Sequence, residues 1–237
     1  MLKLDRITVA FGGLVAVSDV SFELAEHEVM GLVGPNGAGK TTLFNAISGL
    51  VRPTTGKVRF LDHDLTNLPV HQRARIGIGR AFQVPQPMHE LTVRENLLVA
   101  QRFGTGRIDP HRIDEILDIT GLGHKAQMDA ATSLALTEQK ALEVGKALAT
   151  EPKLLLLDEV LAGIETAGKR AFMRTLDDAR RRFGVALLMV EHDIETISNT
   201  CPRVIVLNFG KAIADGSPDE VFRNPEVIRS YTGGEAH

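Results

Sequence analysis

The chain has 237 residues, with 27 basic against 30 acidic side chains, a formal net charge of −3 and one cysteine, Cys201. A lone cysteine excludes an intrachain disulfide and points to a reducing compartment. The acidic balance argues against a dedicated nucleic-acid binder, and the absence of tryptophan argues against a stacking platform for bases or sugars.

The first sixty residues read as strands broken by one helix. Apolar positions Leu2, Leu4, Ile7 and Val9 mark a first strand, and residues 14–24 alternate through Val15, Val17, Val20, Phe22 and Leu24. Residues 29–33 form a compact apolar strand that stops at Gly34. Leu43, Ile47 and Leu50 then recur at helical spacing over residues 40–50. A turn at residues 53–56 leads to a strand at 57–61.

The middle reads as helical. Thr92 and Glu95 make a capping box for a helix through Arg102. Asp109 and Pro110 open another helix, which Gly121 stops. Thr137 is the expected cap of a third helix, running to about Ala149. The last third alternates: a buried strand at 154–157, a charged helix at 165–183, a second buried strand at 185–190 and a hairpin around residues 208–210. Ser217, Pro218 and Glu220 then cap one final helix. This order predicts an α/β fold with a parallel-sheet core, a β piece in front and a helical insertion. No apolar run approaches the roughly 18 residues of a membrane span, and residues 1–6 carry no signal-peptide core, so the chain is read as soluble and cytosolic.

Gly34-Pro35-Asn36-Gly37-Ala38-Gly39-Lys40-Thr41-Thr42 fits G-x-x-x-x-G-K-[ST] between a strand and a helix. Glycines let such a loop turn its amides toward phosphate oxygens, lysine reaches the β- and γ-phosphates, and the Thr41 hydroxyl is placed to ligate Mg²⁺. A chance glycine-rich turn is the weaker reading, because the strand–loop–helix context agrees. Asp158 and Glu159 follow four leucines, so both carboxylates emerge at a strand's carboxyl end, where ligands sit in open α/β sheets. Asp158 suits Mg²⁺, and Glu159 suits a general base for the attacking water. His192 ends the next buried strand, where it can contact a γ-phosphate. The other seven histidines form no zinc-ligand pattern.

With these motifs in this order, the chain resembles the ATP-binding subunits of ABC transporters over essentially its whole length. The resemblance implies a P-loop NTPase α/β core with an N-terminal antiparallel β subdomain and an α-helical insertion at about 88–135, all one domain over 1–237. It implies that Phe11 stacks on adenine with Val17 nearby, that Asn36, Gly37, Ala38, Gly39, Lys40, Thr41 and Thr42 bind the phosphates of ATP, and that Gln83 senses Mg²⁺ and the membrane subunit. It assigns Asp158 and Glu159 to the acidic strand end and His192 to the switch histidine. Within the family the chain resembles the branched-chain (hydrophobic) amino acid uptake subgroup, through Phe11-Gly12-Gly13, Arg80-Ala81-Phe82-Gln83, residues 91–96 and the tail from Pro225 to Gly233.

Three departures stand out. The family's Leu-Ser-Gly-Gly-Gln signature, which caps the partner subunit's nucleotide, falls on Leu134, Ala135, Leu136, Thr137 and Glu138. Val160 stands where proline usually follows the acidic pair, and Glu165 replaces an Asp or Asn. Ala135 cannot supply the usual hydroxyl. Thr137, a good N-cap, is expected to preserve the helix dipole there. The implied activity is ATP hydrolysis with ATP and Mg²⁺. The implied partners are membrane permease subunits, a second ATP-binding subunit (identical or different) and, indirectly, a solute-binding protein, at the cytoplasmic face of the membrane. A soluble ABC-type ATPase acting on nucleic acid or ribosomes is the alternative. It usually brings two ATP domains or a coiled-coil insertion, which 237 residues do not hold.

Overall fold

The computed structural model describes residues 1–232. Its elements in chain order are β1 (Leu2–Phe11), β2 (Leu14–Leu24), β3 (Val29–Val33), α1 (Lys40–Ser48), β4 (Thr55–Phe60), β5 (His63–Asp64), α2 (Val70–Ile76), β6 (Ile78–Ala81), α3 (Val93–Thr105) and α4 (Pro110–Ile119). There follow α5 (Leu136–Ala149), β7 (Leu154–Asp158), α6 (Thr166–Phe183), β8 (Ala186–Val190), α7 (Ile194–Thr200), β9 (Arg203–Asn208), β10 (Lys211–Gly216), α8 (Pro218–Val221) and α9 (Pro225–Thr232). The chain forms two compact units, one of Met1–Arg73 with the stretch from Leu188 onward, the other of Ala74–Leu187.

The first unit holds an antiparallel sheet in the order β2-β1-β4-β5. Strand β1 pairs along β2 from Leu2 opposite Leu24 to Phe11 opposite Leu14, and along β4 from Leu2 opposite Phe60. Its inward residues Leu2, Leu4, Ile7 and Val9 are buried. In the same unit β3 pairs parallel to β9, and β9 pairs antiparallel to β10. Every residue of β3 is buried, as a parallel strand covered on both faces requires. Cys201 is buried beside Gly31, and burial pushes its thiol up to about 12.

The short helix α1 is closed at its C-terminal end by Arg73, a residue that sequence periodicity does not single out. Gly49, at φ 87°, ends the helix, and a Cβ there would lie 2.7 Å from the Arg73 Nε. The buried guanidinium donates to the carbonyls of Ala46 (2.6 Å), Ile47 (2.8 Å) and Leu68 (2.8 Å). Terminal helix carbonyls lack intrahelical partners, and a cation is the favourable group at that end. Desolvation lowers the Arg73 pKa to about 10, against the opposing pull of Asp64, so it stays protonated at neutral pH.

In the second unit β6 pairs parallel to β7, with Arg80 opposite Leu156. The four leucines of β7 are fully buried. Helix α3 has the expected Thr92–Glu95 capping box, and α4 has Asp109 as N-cap with Pro110 in its first turn. Helices α3, α4 and α5 pack on one another. Three expectations are corrected. Strand β6 and helix α2 are additional elements, because four strand residues and seven helical ones give too short a period to read. The final helix is two pieces, α8 and α9, since Pro225 cannot continue the hydrogen-bond ladder of α8. Helix α5 starts at Leu136 with Ala135 as N-cap, so Thr137 lies inside the first turn and caps nothing.

Replacing Arg73 with methionine leaves these buried carbonyls unpaired. The expected cost is about 3 kcal/mol, a fall in the unfolding midpoint of about 6–12 °C by calorimetry. An unchanged midpoint would show that the carbonyls find other donors.

Candidate nucleotide site

The loop after β3 is shaped by glycines that have no room for a side chain. Gly34 has φ 149°, and a Cβ on it would sit 2.1 Å from the Leu207 carbonyl oxygen. Gly39 has φ 100°, and a Cβ there would sit 2.5 Å from the Ala16 oxygen and 3.4 Å from the Val17 side chain. Gly37, at φ 77°, faces open space. Both Asn36 and Gly37 are exposed, whereas Ala38 is buried. The Gly210 amide donates to the Ala38 carbonyl at 3.0 Å, and the Ser18 amide donates to the Gly210 carbonyl at 2.8 Å. The β9–β10 turn and β2 thus grip the loop from two sides within one unit. Gly210 has the same constraint, since its Cβ would meet the Ala16 oxygen at 2.7 Å.

Lys40 opens α1 and is buried, and its Nζ donates to the carbonyls of Gly34 (2.7 Å) and Pro35 (3.0 Å). Thr41 is exposed on the first turn, and Thr42 is half-buried behind it. The donor set suits a polyphosphate: a lysine drawn over a glycine loop, a helix N-terminus and an exposed hydroxyl. Phe11 is 51% exposed, available as a stacking face, whereas Val17 is fully buried under the loop. His192 follows β8, is exposed, and precedes Asp193, whose carboxylate caps α7 through the Thr196 amide. The same unit carries Tyr231 on α9, whose hydroxyl burial pushes up to about 12, against the opposing effect of a backbone hydrogen bond from Gly34.

The acidic pair belongs to the other unit. Asp158 ends β7 and is buried, and its Oδ2 accepts from Arg80 on β6 at 2.5 Å. The Arg80 guanidinium also lies 4.9 Å from the Phe82 ring centre. Glu159 takes φ 49°, a left-handed conformation uncommon outside glycine and asparagine. Its Oε2 accepts from the Gln83 Nε2 at 2.5 Å. The structure therefore joins Gln83 to Glu159 and Arg80 to Asp158.

Beyond Gln83 the chain is pinned at two points. Glu143 on α5 accepts from the Gln86 amide (2.8 Å), while Lys146 donates to the Gln86 carbonyl (2.7 Å). Asn96, fully buried on α3, accepts from the Met88 amide at 2.8 Å. Phe82 and Val84 nevertheless remain exposed. Sequence reasoning passed over Glu143, Lys146 and Asn96. The available signal was a set of polar residues on otherwise apolar helix faces.

At the start of α5, Ala135, Leu136 and Thr137 are exposed, and no side chain caps the helix. Half of a capping arrangement survives, since Glu138 accepts from the Ala135 amide at 2.8 Å. Lys125 donates to the same carboxylate at 2.6 Å and holds its pKa below the usual value. Leu134 is buried, and its carbonyl accepts from Gln139 at 3.1 Å. Among the described residues no cluster of three His, Cys, Asp or Glu side chains can hold a metal unaided. No helix is long and apolar enough to cross a membrane. Gly233, the last residue of the tail motif, lies outside the described residues.

Residues 17–162 match the ABC transporter family, and residues 213–237 match the family described as branched-chain amino acid ATP-binding cassette transporter. The chain is 36% identical, over 98% of both proteins, to the high-affinity branched-chain amino acid transport ATP-binding protein LivG of Salmonella typhimurium. It is 34% identical to the lipopolysaccharide export system ATP-binding protein LptB of Acidithiobacillus ferridurans, over 99% of this chain and 98% of that one. A solved ATP-binding cassette of an ABC transporter, in its ADP conformation, superposes with a TM-score of 0.87 at 29% identity, covering 99% of each chain. With its family match spanning more than half the chain and a full-length relative above 30% identity, the chain belongs to the ABC transporter family, as one of its ATPase subunits.

Proposed function

We propose that this subunit binds ATP with Mg²⁺ and hydrolyses it to drive uptake of branched-chain or related amino acids. It would work as a single ABC ATP-binding domain with a helical part at about 88–135, on the cytoplasmic face of membrane permease subunits. The observation that carries the catalytic reading is the Gln83–Glu159 hydrogen bond. It ties the water-activating carboxylate to a segment that α3 and α5 anchor and that leaves Phe82 and Val84 exposed for a neighbour. The tail match over residues 213–237 supports amino acids over the lipopolysaccharide of the LptB relative.

In this reading the loop amides from Asn36 to Thr42 and the Lys40 ammonium hold the β- and γ-phosphates, and Phe11 stacks on the base. Thr41, Gln83 and Asp158 are the Mg²⁺ ligands, directly or through water. Magnesium, when bound, neutralises charge on the terminal phosphates. Glu159 accepts a proton from the attacking water, and His192 contacts the γ-phosphate oxygens. Gln83 and Arg80 meanwhile hold the two carboxylates in position, so both must exchange partners on loading. Lys40 likewise gives up the Gly34 and Pro35 carbonyls for phosphate. Residues Leu134 to Glu138 cap a nucleotide held by a second ATP-binding subunit, with a solute-binding protein acting at the far side of the membrane.

The α5 start makes that second role weak. Ala135 has no hydroxyl to donate, and Glu138 places a carboxylate in the first turn, offset by Lys125. In a dimer with a different ATP-binding subunit, the site completed by this chain's loop is therefore the slower of the two.

Glu159→Gln in the assembled complex is expected to cut ATP turnover at least about 100-fold, while nucleotide binding persists and an ATP-bound dimer accumulates on size exclusion. Full turnover removes Glu159 from its role. Restoring two signature positions with Ala135→Ser and Thr137→Gly is expected to speed the site it completes about 10-fold, the worth of one hydrogen bond to a charged group. An unchanged single-turnover rate would refute the asymmetry. For the solute, reconstituted vesicles with labelled leucine distinguish amino acid uptake from other cargo.

A further inference from the structure

The Ala74–Leu187 unit contains a polar cavity lined by none of the candidate nucleotide-site residues. It has a volume of about 390 Å³ and is lined by Arg107, Asp109, Arg112, Glu151, Lys153 and Phe183, among others. These come from the α3–α4 connection, the start of α4, the α5–β7 connection and the end of α6.

Its acids are already engaged. Glu151 takes Arg107 through both oxygens, at 2.9 and 2.7 Å. Asp109 accepts from the amides of His111 (3.1 Å) and Arg112 (3.2 Å). Glu115, also on the lining, pairs with Arg182. Two of its cations are not engaged in this way. The Arg112 guanidinium lies 3.5 Å over the Phe183 ring, and its Nε is buried without a hydrogen-bond partner. Neither the Arg112 side chain nor the Lys153 ammonium makes a hydrogen bond or ion pair among the described residues. Partial burial lowers the Arg112 pKa, with Glu151, Glu115 and Asp109 opposing.

We propose that this cavity is a binding site for a compact oxyanion, a carboxylate or a phosphate. Stacking on Phe183 fixes the plane of the guanidinium and leaves its edge donors for a forked contact with two oxygens. Lys153 supplies the second positive charge. The engaged carboxylates around the rim disfavour a multiply charged ligand, so one negative charge suits the site best. A bound anion bridges α4 to the connection that leads into β7, the strand that ends at Asp158.

The test uses ¹⁵N-labelled full-length protein. The Arg112 Nε–Hε resonance, assigned by its loss in Arg112→Met, is followed while inorganic phosphate or acetate is added at constant ionic strength, with chloride as control. A saturable shift with either anion is expected, and which one produces it identifies the source of the oxyanion. Lys153→Met, an exposed position, is expected to weaken that binding about 10-fold without moving the unfolding midpoint. A resonance that neither anion moves, or that chloride moves equally, overturns the proposal, as does unchanged affinity in Lys153→Met. Because the probe sits on Arg112 itself, phosphate taken up by the loop at 34–42 does not register as support, and failure here leaves the ATPase reading untouched.

Discussion

The first unit depends on an exclusion of side chains. At Gly34, Gly39 and Gly210 an added Cβ would stand 2.1, 2.5 and 2.7 Å from a backbone oxygen, inside any real contact distance. That lets three backbone segments, the loop after β3, the start of β2 around Ala16 and the β9–β10 turn, pack backbone against backbone. The Gly210 amide bonds the loop at the Ala38 carbonyl, and the Ser18 amide in turn holds the Gly210 carbonyl, so main-chain groups rather than flexible side chains fix this contact. A phosphate cradle built this way is preorganised, since little is left to order when a ligand arrives. Arg73 extends the same logic to the far end of α1: both ends of a nine-residue helix are fixed, one by the glycine loop and one by a buried cation.

In the second unit the chemistry is held ready by polar partners. A buried carboxylate without a partner is costly, and Asp158 meets this with Arg80 on the adjacent strand. Glu159 spends backbone strain at φ 49° to reach Gln83. Strain of this kind collects where function over-determines the backbone. The segment from Gln83 to Met88 is bonded both to the acidic end of β7 and to helices α3 and α5. Movement of those helices is therefore mechanically linked to the position of the Glu159 carboxylate.

Much of this was legible in the residues, for local reasons. The glycine loop, the Thr92 and Asp109 caps and the four leucines of β7 each act within a few positions, so spacing alone reveals them. Thr137 misled because propensity favours threonine over alanine at an N-cap, while the fold places the N-cap of α5 two residues earlier and Glu138 binds the Ala135 amide instead. Arg80 with Asp158 and Gln83 with Glu159 lie 78 and 76 positions apart, and Arg73 reaches back 27 to Ala46. No periodicity carries such pairings, because topology makes them.

The buried thiol of Cys201 has a practical side. It is buried, and burial holds the thiol in its unreactive protonated form. The native chain is in effect silent to maleimides and other sulfhydryl reagents. Reporter cysteines can thus be placed one at a time on its surface, at the start of α5 or beside Phe82, and labelled with fluorophores or spin probes without first removing the natural one.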